Sequence, residues 1–195
     1  MKYILLTLAC IFLYSSLCRS QEKKYTDSAV AEYIKACQCK FGYRYGWKLK
    51  SVKKHEAYSW VKKIIFVSFK NNDSAKEVSY LKNEKIDNDV VTEQHLLTQA
   101  ETDSLFNIIY GYNYTGYPSK ILVFECKQPE NAILYVDSDD KVLFSINICF
   151  SGTGHQIWTS KNYKGTHTTT FGETCFGKYE QLAKLFRSAG IRNIK

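Results

Sequence analysis

Ala132-Ile-Leu-Tyr-Val136 and Val142-Leu-Phe-Ser-Ile-Asn-Ile-Cys-Phe150, joined across Ser138-Asp-Asp-Lys141, decide the reading of this chain. Both flanks are dense in β-branched and aromatic residues, which suit a pleated, buried strand. The link is a run of short polar residues. Together they predict a β-hairpin. Pairing Asp137 with Val142 and counting away from the turn sets Cys149 opposite about Glu130, four residues past Cys126. A bend at Pro129 can return Cys126 to that strand end, and a bridge needs Cα atoms within about 7 Å. Cys175 opens a later amphipathic helix and is the competing partner. The expectation is that Cys149 meets Cys126 or Cys175 in a disulfide.

Outward from the hairpin, residues 60–69 read as a central strand, with Ile64-Ile-Phe-Val67 as its apolar run and Asn71-Asn-Asp73 as a turn. Thr98 and Glu101 form a capping box, opening a helix whose apolar face continues through Leu105, Ile108 and Ile109 until Gly111. A Tyr-rich loop to Ser119 and a short strand over 121–124 are expected next. Residues 151–172 read as a long Gly/Thr-rich loop, and loops beyond about 12–15 residues are usually functional or disordered. Residues 176–188 form an amphipathic helix with Tyr179, Leu182, Leu185 and Phe186 on one face, stopped by Gly190. A further helix is expected from Asp27 or Ser28 to about Cys37. Helices set apart from an antiparallel run predict an α+β fold: a single domain over 21–195, with an antiparallel sheet and three main helices.

Residues 1–20 read as a signal peptide. Lys2 supplies the positive end, 3–17 the apolar run, and Cys18-Arg19-Ser20 the small-residue exit, leaving Gln21 first. The run is short of the roughly 20 residues that span a bilayer, so no integral span is expected after cleavage. Lipid attachment at Cys18 is the alternative. The chain is thus expected in the periplasm, at the outer surface or secreted. Its formal charge is +8, and loss of Lys2 and Arg19 with the leader leaves +6. That balance suits solubility and leaves room for an anionic partner, otherwise unspecified. Cysteines 37, 39, 126, 149 and 175 remain, an odd number facing an oxidising compartment.

The run Cys126-Lys-Gln-Pro-Glu-Asn-Ala132, the strand end Ile148-Cys149-Phe150 and Cys175 ahead of the last helix carry a resemblance. Over roughly 97–191 the chain resembles a group of uncharacterised exported bacterial proteins. That group has a cysteine before a Pro-x-Asn/His-Ala/Gly strand, an Ile-Cys-Phe-x-Cys strand end and a final Cys-led helix. Gly152 stands at the second strand-end cysteine. The resemblance implies no activity and no cofactor.

Several chemistries can be written on these residues. Cys126, Cys149 and Cys175 with His155 match the donor types of a zinc site, though no Cys-x-x-Cys knuckle is present. Cys149 ahead of Gly152-Thr-Gly-His155 suggests a nucleophile beside a base, and His155 with His167 suggests a small hydrolase or nuclease. Trp158, Tyr163 and His167 make the 151–172 loop a candidate binding surface. The leading expectation is a structural or ligand-binding exported domain without a catalytic group. The hydrolase or nuclease comes second and the metal-binding module third.

Overall fold

The computed structural model describes residues 39–41, 56–70, 79–114, 126, 128–151, 154–161, 163, 171 and 176–194. In chain order these form β1 (Cys39–Phe41), the single turn α1 (Glu56–Ser59), β2 (Lys63–Phe69), β3 (Leu81–Lys82), β4 (Lys85–Ile86) and β5 (Val91–Leu96). Then come α2 (Gln99–Phe106), a π-helical turn (Asn107–Gly111), β6 (Tyr112–Tyr114), β7 (Asn131–Val136), β8 (Val142–Cys149), β9 (Gly154–Thr159) and α3 (Phe176–Ser188). The predicted leader, the 27–37 helix, the 71–73 turn and the 121–124 strand lie outside the described residues.

The hairpin organises a five-stranded antiparallel sheet of order β5-β2-β7-β8-β9. Val136 faces Val142, the register shifts by one residue, and Asn131 then faces Ile148, which carries Cys149 opposite Glu130. β2 is an interior strand, between β5 and β7. The fold is therefore mixed helix and antiparallel sheet, with two helices longer than one turn, rather than three, among the described residues.

Three strands were not predicted, two of them inside expected loops. β5 went unread because Thr92, Glu93, Gln94 and His95 are polar, as befits an edge strand with one row of side chains in water. β9 falls inside the predicted 151–172 loop and pairs along its whole length with β8. Its place is set by backbone hydrogen bonds, so Gly154 and Gln156 are tolerated. β6, in the expected Tyr-rich loop, pairs with β1 as a separate two-stranded sheet.

Strand alternation gives the large sheet two packed faces. On one, Phe66, Ile133, Tyr135, Phe144, Ile146 and Ile148 meet α2, the π turn and α3. Phe66 and Phe186 stack there with ring centroids 3.9 Å apart. On the other, Val67, Phe69, Ala132, Leu134 and Val136 are covered by Tyr80 and the β3–β4 hairpin. The two residues at that hairpin's tip, Asn83 and Glu84, both have positive φ, the geometry of a tight two-residue β-turn.

The helix ends follow their caps. Thr98 Oγ1 accepts from the Glu101 amide, and the Glu101 carboxylate accepts from the Thr98 amide at 2.7 Å. That amide is the main cause holding the Glu101 carboxyl below its usual range. α3 ends in a Schellman motif: Gly190 at φ +89° donates to Arg187 O, and Ile191 donates to Phe186 O. The chain past α3 is then latched to the sheet. The Glu93 carboxylate accepts the Arg192 and Asn193 amides, while Ser68 and Asn131 donate to Asn193 O.

Candidate functional site

The sequence candidates converge on the β8–β9 end of the sheet, but not in the arrangement expected. Cys126 and Cys149 stand at disulfide distance, with Cα atoms 5.5 Å apart. Each sulfur is bonded to the other, so neither is a thiolate for a metal or a nucleophile for a substrate. Cys39 is disulfide-bonded as well. The predicted competitor Cys175 lies outside the described residues, as does His167.

The register separates Cys149 from His155 even without the disulfide. Cys149 pairs with Gly154 and Ile148 with His155. Ile148 faces the helices, so the alternating Cys149 faces the opposite side and His155 the helix side. The proposed nucleophile and base are thus on opposite faces of one sheet. Among the described residues no group of three His, Cys, Asp or Glu side chains is placed to hold a metal ion.

His155 is built into the helix-side packing. Its ring stacks on Phe171 at 3.9 Å, and Nδ1 shares a 2.9 Å hydrogen bond with the Tyr179 hydroxyl. Burial first, and the nearby Lys178 charge second, pull its pKa down to about 4. The imidazole is neutral at pH 7, and a group so poised is a poor proton acceptor there. Lys178 is fully buried and donates to Ile109 O at 2.6 Å and Phe171 O at 3.2 Å. Its ammonium sits 5.3 Å over the Phe171 ring. One of these carbonyls, Ile109 O, belongs to the π turn, at whose C-terminal end partial negative charge gathers.

The other loop candidates divide. Trp158, opposite Ser145, is half-buried against the second face. Tyr163 packs on the helix face with its ring 5.4 Å from Phe144. Neither forms an open aromatic platform. His95 bonds Glu101 through Nε2, at 3.1 Å to each carboxylate oxygen, and serves the α2 start.

Tyr179 also lines a cleft of 420 Å³ between the end of β8 and α3, with Phe150, Ala183 and Ile194 as its other apolar walls. Ser151, Glu180, Lys184 and Arg187 are the polar lining. Lys184 and Arg187 are exposed on the same helix face and hold no ion pair among the described residues. Sequence reading missed these residues and Lys178. Lys178 precedes Leu182 by four and Leu185 by seven, so its place on the inward stripe was the one available signal.

In comparisons with known proteins, no family, curated protein or solved structure matches this chain.

Proposed function

We propose that this chain is an exported, disulfide-braced α+β binding domain without catalysis, and that it takes an anionic ligand in the cleft between β8 and α3. The observation that carries the reading is a division of labour. Among the described residues, the candidate reactive side chains are spent on the fold, with Cys126 bound to Cys149 and His155 tied to Tyr179. The cleft beside them instead offers Lys184 and Arg187, which hold no ion pair among the described residues, against the single carboxylate of Glu180. Its volume lies in the range of about 300–1,000 Å³ usual for ligand sites. The net charge of +6 that remains once Lys2 and Arg19 leave the full chain's +8 favours an anion's approach at long range.

Tripolyphosphate titrated into ¹⁵N-labelled protein at constant ionic strength tests the site. Saturable shifts are expected at Phe150, Ser151, Lys184 and Arg187, and they are expected to vanish in the Lys184→Glu/Arg187→Glu variant. Both positions are exposed, so that variant should keep its unfolding temperature. Shifts that never saturate, or that survive the double reversal, sink the proposal. Export is checked separately by intact mass from the native host, where a chain beginning at Gln21 is expected. A species retaining Met1 would contradict it.

A further inference from the structure

A second pocket lies at the opposite end of the strands, where β2 begins and β5 passes into α2. It has a volume of 340 Å³, and Val61, Ile64, Leu96, Leu97 and Phe106 supply apolar walls. Tyr58 forms its floor and is otherwise buried in a packed aromatic group, edge-on to Phe106 and tilted against Tyr135. Its hydroxyl is hydrogen-bonded to that of Tyr110, which sits on the π turn. Such turns recur at functional sites.

Three features indicate what fits. First, the apolar walls are joined on the α2 side by the neutral polar side chains of Gln99 and Thr102, and no carboxylate lines the pocket. Burial pushes the Tyr58, Tyr110 and Tyr135 phenols up, so they remain neutral donors. The Tyr135 hydroxyl, fully buried one ring behind the floor, makes no hydrogen bond of good geometry among the described residues. Second, the two cations at the mouth are unequal. Lys63 is committed to Asp140 at 2.5 Å, whereas Lys62 is exposed and holds no ion pair among the described residues. Third, Leu96 lines the pocket yet is 56 % exposed, and Trp60, adjoining the wall residue Val61, is 60 % exposed. An occupant covering such side chains gains about 25 cal/mol per Å² of apolar surface removed from water.

We propose that this pocket is a separate binding site for a small amphiphilic carboxylic acid. Its apolar body enters between β2 and α2, and its carboxylate meets Lys62 at the mouth. The site shares no lining residue with the α3 cleft, so either proposal stands without the other.

The test is a titration with octanoate followed by ¹³C-methyl shifts of Val61, Ile64, Leu96 and Leu97, with 1-octanol and octylamine as controls. Octanoate is expected to saturate, 1-octanol to bind about two- to fivefold more weakly, and octylamine more weakly still, because Lys62 rewards the anion and repels the ammonium. Lys62→Glu, at an exposed position, is expected to weaken octanoate by about tenfold. Thr102→Trp, which fills the pocket from the α2 side, is expected to abolish the shifts. Circular dichroism checks its fold, and Lys62→Glu decides alone if that variant does not fold. Absence of saturation at these methyls overturns the proposal. So does equal binding of octylamine, or octanoate binding that ignores Lys62→Glu.

Discussion

The two faces of the large sheet are closed by different physics. The helix side is sealed by apolar area: Leu105, Ile109, Leu182 and Phe186 are all fully buried against the strands. Among the described residues no helix covers the opposite side. The β3–β4 hairpin lays Leu81 and Ile86 on the apolar cluster there and is held in addition by polar contacts, with the Tyr80 hydroxyl bonded to Ser145 and Asn147, and Glu84 accepting from the Ser160 hydroxyl. The disulfide pins Cys126 to the end of β8 on the same side. A regular amphipathic helix carries enough apolar surface to dock by itself. Irregular chain does not, and needs hydrogen bonds or a covalent tie to stay in place.

The largest expected effect is on the helix side. Phe186→Ala removes the ring that stacks on Phe66 and meets Phe150 edge-on, and should cost about 3–5 kcal/mol. Urea denaturation measures it, and a loss below that of any second-face variant would reverse the contrast. On the opposite side, Cys126→Ser/Cys149→Ser opens a loop of sequence separation 23, and chain entropy puts the loss at about 3 kcal/mol. Non-reducing peptide mapping should first recover the two cysteines in one linked species.

His155 makes the helix side pH-sensitive. Its folded pKa of about 4 lies below the unfolded value, so the unfolded chain binds the proton first. Stability is whole above about pH 6.5 and falls as pH drops toward 4, by about 2–3 kcal/mol in total. Comparing urea midpoints at the two ends of this window in wild type and His155→Phe isolates the effect. The variant should show a flatter profile, and an unchanged slope would assign the loss to other groups. The smallest expected effect probes the polar seat. Tyr80→Phe leaves Asn147 and Ser145 short of a buried partner and should cost about 1–2 kcal/mol by thermal unfolding.

What could be read from the sequence tracks these same forces. Phe176–Ser188 emerges as a helix over the predicted span because its apolar stripe and Gly190 are local signals. Thr98 and Glu101 announce α2 for the same reason. The hairpin count reached Cys149 opposite Glu130 although the paired turn residue was one off, since the register shift at Tyr135/Val136 absorbs the difference. β5 and β9 were not legible. An edge strand is held by backbone bonds to its neighbour, and its side chains carry no obligatory pattern. Sequence proximity also misled at Cys149 and His155, because a chain that returns beside itself in a sheet alternates its side chains between faces.

By itself, the sequence determined the elements whose instructions are local: apolar periodicity, caps, turn residues, and the short list of cysteines able to reach one another. Tertiary structure alone decided which face each side chain took and which groups met across long separations. Lys178 bonding Ile109 O, Glu93 holding the Arg192 and Asn193 amides, and Tyr58 meeting Tyr110 join residues 69, 99, 100 and 52 positions apart. Such contacts depend on the summed geometry of every intervening element, which no local pattern encodes. Both clefts are products of that assembly: each is walled by segments that share no motif and become neighbours only once the sheet is packed.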